Sequence, residues 1–112
     1  MVLSRIRSIV RTICEKKGGN VVVFDVRGLS SITDYILLAE GNVERHVVVL
    51  AKEVEGFMRG LGQKAFCTEG LQDGDWVVLD YSQIVIHLLI PGMRKKYQLD
   101  NLWQTGRIMR FD

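Results

Sequence analysis

Proline occurs once in this chain of 112 residues, cysteine twice, and no apolar run reaches membrane-spanning length. A helical bilayer crossing needs about 20 consecutive apolar residues, so no transmembrane segment is expected. Cys14 and Cys67 lie far apart, without CxxC spacing or a nearby His–Cys set. That argues against a zinc site or a disulfide, and both thiols are expected as small core residues of a reduced compartment. The lone Pro91 cannot continue a strand ladder but suits the start of a helix. Repeats, linkers and low-complexity stretches are missing too, which leaves one domain large enough for a core without staples.

Charge of one sign is missing from two stretches. No acid precedes Glu15, and no Lys or Arg lies between residues 65 and 90, which hold Glu69, Asp73, Asp75 and Asp80. The net charge of +2 divides into +4 over residues 1–17, −1 over 18–64, −4 over 65–90 and +3 over 91–112. The acidic block repels phosphate and attracts a basic partner, which disfavours direct nucleic-acid binding by that block.

The acidic block also contains the chain's organising stretch, Trp76 to Ile90, WVVLDYSQIVIHLLI. It reads as a β-hairpin with Ser82-Gln83 as a two-residue turn. Tyr81 then opposes Ile84, Leu79 opposes Ile86 and Val77 opposes Leu88, giving one apolar face for the core. On the other face Asp80 pairs with Val85, Val78 with His87 and Trp76 with Leu89. That mixed face is the candidate working surface. Ser-Gln lacks the usual positive-φ residue, so the turn is the weak point of the register.

Leu3, Ile6, Ile9, Val10, Ile13 and Cys14 recur at helical spacing and predict an amphipathic helix that stops at Gly18-Gly19. Its arginines and serines also fit an organelle presequence, but a packed helix with a solvated basic face is the preferred reading. Val21–Val26 and Tyr35–Glu40 read as strands joined by a polar loop. A helix over 42–61 follows, with Asn42 as N-cap and Gly62 as its stop. Ala65–Thr68 is a short strand, residues 69–75 an acidic turn, and Met93–Tyr97 and Leu99–Trp103 short helical pieces. The tail has no clear pattern. The order predicts an α/β (α+β) fold, a mixed sheet of about five strands packed with helices.

Asp25-Val26-Arg27-Gly28-Leu29-Ser30-Ser31-Ile32-Thr33-Asp34-Tyr35 resembles the signature of the ribosomal silencing factor family, also called RsfS or Iojap-like. Glu69-Gly70, Trp76 to Tyr81, His87, Pro91, Arg94, Tyr97, Leu102 and Trp103 continue the resemblance in order, over about residues 3–103. The chain departs from the family at Ser82, usually glycine, and at Gly41 to His46, usually a Thr/Ser-rich start to the helix. The resemblance implies a single domain over 1–103 with a tail at 104–112. It further implies a nucleotidyltransferase-like fold without catalytic function. The family binds large-subunit ribosomal protein fourteen on the subunit-facing side and blocks joining of the small subunit when nutrients are short.

The candidate partner-binding residues are Trp76, Asp80 and Tyr81 of the hairpin and Glu69, Asp73 and Asp75 of the acidic turn. Each has a plainer reading: Trp76 as core, Asp80 as a turn cap, Tyr81 as packing, the other acids as a solvated turn. Arg94, Lys95 and Lys96 are either a solvated face or a weak ribosomal RNA contact. His87 reads as a hydrogen-bonded strand histidine, and Met93, Tyr97, Leu102 and Trp103 as core. A nucleotidyltransferase needs two strand carboxylates to hold magnesium, and Asp80 stands alone on its strand. No catalytic residue, metal or cofactor is expected. An RNA-binding assembly factor is the alternative, and a homodimer through the half-apolar face is a further possibility. The expected compartment is cytoplasm, with an organelle as the alternative.

Overall fold

In the computed structural model, residues 2–103 and 106–109 are described. Helix α1 (Val2–Glu15) leads into strands β1 (Gly19–Asp25) and β2 (Tyr35–Glu40), then helix α2 (Glu44–Gly60). Strands β3 (Cys67–Glu69), β4 (Trp76–Asp80) and β5 (Ile84–Leu89) follow. Helices α3 (Pro91–Tyr97) and α4 (Leu99–Leu102) and strand β6 (Arg107–Met109) complete the described chain. The sheet order is β3-β4-β5-β2-β1-β6. β2 and β5 run parallel, and the other four pairings are antiparallel. The sheet has six strands rather than about five, because residues 107–109 of the patternless tail pair with β1.

α1 and α2 cover one face of the sheet. Ile6, Ile9 and Ile13 of α1 and Val47, Leu50 and Val54 of α2 are fully buried against Leu37, Leu79, Ile86 and Leu88. α1 is therefore an integral core element, as the packed-helix reading expects. The other face carries Phe24, Ile36, Leu38, Val85 and Leu89 and, among the described residues, is covered by the short C-terminal helical segment through Met93, Leu99 and Trp103.

Two helix ends differ from expectation. The left-handed residue after α1 is Lys17 (φ 69°), not a glycine. Gly18 is needed for space instead: a Cβ there would collide with Ile13 Cγ2. α2 has no side-chain N-cap, because Asn42 lies one residue too early. His46, inside the helix, instead reaches back to the residue before the cap. Its Nδ1 accepts the Asn42 N–H at 2.9 Å, so Nε2–H is left to donate to the Lys16 carbonyl at 2.7 Å. At the other end Gly62 (φ 77°) does stop α2, with its N–H on Arg59 O and the Gln63 N–H on Met58 O.

Both cysteines are exposed, which corrects their assignment to the core. Cys14 lies beside the buried Ile13 but faces out of α1. Cys67 sits on the edge strand β3, on the face opposite Thr68, whose hydroxyl meets Glu55 of α2.

A candidate docking surface on the hairpin

The β4–β5 pairing is the one the alternation predicts: Trp76 opposite Leu89, Val78 opposite His87, Asp80 opposite Val85. The turn holds register because Ser82 itself adopts φ 73°. Its N–H donates to Asp80 Oδ1 at 2.8 Å, the Gln83 N–H closes on Tyr81 O at 2.8 Å, and Tyr81 N–H reaches Ile84 O at 2.9 Å. Asp80 is thus a turn cap whose carboxylate remains half-exposed.

Cross-strand partners share a face, so the ladder maps the surface. β3 sets Cys67 beside Asp80 and Glu69 beside Val78. The mixed face on this side of the sheet therefore presents Cys67, Glu69, Trp76, Val78 and Asp80, each exposed or half-buried. We call this the β3–β4 wing. Alternation alone puts Val78 on this face, whereas Cys67 is not legible as part of it. A three-residue strand carries too little alternation to reveal its register, which alone brings Cys67 beside Asp80. Phe66, whose N–H pairs with Asp80 O, is the most exposed large hydrophobic residue described, at 84%.

Trp76 closes the wing at its boundary with the C-terminal helices. Its Nε1–H donates to His87 Nδ1 at 3.1 Å, and its ring lies 5.5 Å from Tyr97 and 6.1 Å from His87. His87 in turn contacts Trp103 at 5.3 Å. Burial holds the His87 pKa down to about 4, so the ring is neutral near pH 7 and Nδ1 is free to accept. Trp76 is accordingly part core and part surface. Tyr97 and Leu102, expected as core, are exposed, while Met93 and Trp103 pack against the sheet.

The remaining candidates divide. Tyr81 is buried on the opposite face, where burial raises its pKa and the Glu55 carboxylate adds to the effect. It does not join the wing. Asp73 is exposed and Asp75 half-buried in a turn shaped by Gly70 (φ 88°) and Gly74 (φ 77°). At Gly70 a Cβ would collide with Trp76 O, so the glycine is obligatory where the turn enters the hairpin. Asp75 O receives the Ile90 N–H at 3.1 Å, which fixes this acid beside Trp76.

Arg94 does not belong to a solvated basic face. It is buried, pairing through Nε and Nη2 with Asp100 at 2.8 and 2.9 Å and through Nη1 with Asn20 O at 2.6 Å and Glu40 at 3.2 Å. Its hydrogen bonds staple α3 and α4 to the start of β1 and the end of β2. Arg94 hydrogen-bonded to Asp100 holds that carboxyl below the usual range. Lys95 and Lys96 remain exposed, with Lys96 Nζ 5.4 Å from the Tyr97 ring centre.

In the signature loop, Arg27 makes a bidentate pair with Asp25 at 3.0 and 2.7 Å and lies over the Tyr35 ring. The Asp34 and Tyr35 N–H groups both reach Gln83 O, which ties this loop to the hairpin tip. The signature therefore supports the turn. Among the described residues, no cluster of three His, Cys, Asp or Glu side chains could hold a metal ion, and no helix is long and apolar enough to cross a membrane.

Comparison with known proteins gives one consistent result. The family model described as "Ribosomal silencing factor during starvation" matches residues 2–112. A ribosomal silencing factor of Haemophilus influenzae is 34% identical over 90% of this chain and 99% of its own length. A mouse protein named for mitochondrial assembly of the ribosomal large subunit is 26% identical, covering 85% of this chain and 43% of the relative. A crystal structure of a Chromobacterium violaceum protein superposes with a TM-score of 0.89 at 25% identity, covering 99% of this chain and 92% of the other.

Proposed function

Because the chain belongs to the ribosomal silencing factor family, we propose that it docks through the β3–β4 wing on large-subunit ribosomal protein fourteen. Bound there, it occupies space that the small subunit needs, and so represses translation under nutrient limitation. One observation carries the choice of surface: the apolar Trp76 and Val78 share a face with the carboxylates of Glu69 and Asp80, in a stretch without Lys or Arg. An apolar centre with an acidic rim is what a basic protein surface requires opposite it. Asp73 adds long-range steering from the adjoining turn. The exposed Lys95 and Lys96 would add a weak RNA contact beside the protein partner.

The two exposed thiols supply a direct test. Cys67 lies in the wing and Cys14 on α1, across the sheet. Binding of ribosomal protein fourteen should slow alkylation of Cys67 and leave Cys14 unchanged. Equal protection of both, or protection of Cys14 alone, would put the interface elsewhere. Sedimentation of mixed subunits should show fewer joined particles when the protein is present. Unaffected joining would remove the silencing role and favour the second reading, an assembly factor, which the mouse relative's name supports. When no ribosome is present the open wing can pair with a second copy, and sedimentation equilibrium should then show a dimer that the partner protein dissociates.

A further inference from the structure

The outward face of α1 has no part in the wing. Its inward residues Ile6, Ile9, Val10 and Ile13 are buried, which leaves Ser4, Arg7, Ser8, Arg11 and Thr12 turned outward or half-covered. A helix face that serves only solubility interleaves acids and bases at i and i+4. This one has no carboxylate before Glu15, and its first turn holds Arg5 and no acid, against the preference of the helix dipole. Between α1 and α2 runs an open groove of about 380 Å³ lined by Ser4, Arg5, Ser8, Phe57 and Leu61. Arginine and serine are the side chains that take phosphate and sugar oxygens, and an aromatic floor accepts a base by stacking.

We propose that the α1 face and the α1–α2 groove form an RNA-backbone contact, met by large-subunit ribosomal RNA that flanks the protein partner. α1 packs on the face of the sheet opposite the wing, against residues of β1 and of the β4–β5 hairpin. A molecule held at its acidic wing therefore has a separate basic flank to lay against phosphate. The site is distinct from Lys95 and Lys96 on α3. The identity of the RNA rests on the ribosomal reading above, whereas the phosphate chemistry does not.

The test uses Arg7→Gln/Arg11→Gln in the full chain, with its melting temperature checked against wild type. Each phosphate contact adds about 0.7 to 0.9 to the slope of log affinity against log salt. Binding of the variant to large subunits should lose about 1.5 from that slope, and its affinity at low salt should fall roughly tenfold. Binding to a short oligouridylate should fall in parallel, while affinity for isolated ribosomal protein fourteen stays at the wild-type value. An unchanged slope on large subunits would overturn the contact. So would an equal loss on the isolated protein, or wild-type retention by phosphatidylserine vesicles that the double substitution abolishes. If the wild-type chain fails to bind the isolated protein at all, the docking reading falls while the oligouridylate result still decides this one.

Discussion

Neutralising the wing's two carboxylates without disturbing its backbone isolates the electrostatic half of the docking proposal. Asp80→Asn keeps an oxygen for the Ser82 N–H, now 2.8 Å from Oδ1, so the turn retains its cap. Glu69 has no hydrogen-bond or ion-pair partner among the described residues, so Glu69→Gln removes only charge. The double variant should unfold in urea within about 0.5 kcal/mol of wild type. Two unit charges 4 Å apart attract by about 1 kcal/mol in bulk water and about 4 at an effective dielectric of 20. Both carboxylates face solvent, so the lower value applies, about 1 kcal/mol each. Together that is about 2 kcal/mol, or roughly thirtyfold in affinity. Most of the loss should fall on the association rate, because steering acts before contact. It should nearly vanish toward 1 M salt, where screening shortens to about 3 Å. Calorimetric titration of ribosomal protein fourteen at low and high salt, with stopped-flow association, measures each quantity. Asp80→Lys should be worse at low salt, because it reverses the charge. A folded double variant that binds with wild-type affinity at low salt would refute the electrostatic reasoning, and the wing would have to act through Trp76 and Val78 alone.

Three further outcomes test the supporting structure. His87 has a folded pKa of about 4 against an ordinary 6.5, so the unfolded chain binds a proton that the folded chain refuses; stability should be full above pH 6.5 and fall by up to about 3 kcal/mol toward pH 4, and urea midpoints of His87→Gln should lack that slope. Ser82→Gly should raise stability by roughly 0.5 to 1 kcal/mol, since Ser82 holds φ 73° where glycine is unstrained; a lower urea midpoint would contradict the turn geometry. Arg94→Met should cost about 3 kcal/mol, below the full penalty for a buried pair because the Asp100 side chain is 46% exposed; Trp103 emission should shift to the red as α3 and α4 loosen, and an unshifted spectrum with wild-type stability would disprove the staple.

The parts of this fold that could be read from sequence are those where one element repeats its pattern several times. The hairpin alternates through five residues on β4 and six on β5, so a single register sorts all of them, and the observed ladder agrees residue by residue. The stripes of α1 and α2 were equally clear. Elements defined by a distant neighbour could not be read. β6 is three residues long and becomes a strand only because β1 offers an edge. Arg94 stands beside two lysines and looks solvated, yet its partner Glu40 lies 54 positions away. Residue type alone points Cys14 and Cys67 inward, and nothing local says that one faces out of its helix and the other sits on an edge strand.

The same distinction explains why the candidate site was only partly legible. Trp76, Val78 and Asp80 share a face by strand alternation alone, but whether that face is open depends on how far the C-terminal helices extend. α3 has seven residues and α4 four, enough to cover β1, β2 and the far half of β5 through Met93, Leu99 and Trp103. They end at Trp76, whose ring meets Tyr97 on the covered side. Beyond it the sheet continues for two strands, which carry Glu69, Val78, Asp80 and Cys67 on this face, each exposed or half-buried. A longer C-terminal helix would have buried those carboxylates, and burial without a cationic partner would carry a desolvation cost of several kcal/mol each. The acidic residues and the short helices are therefore two sides of one constraint. The wing can hold unpaired charge because the fold stops short of it, and an oppositely charged surface is what that arrangement leaves room to bind.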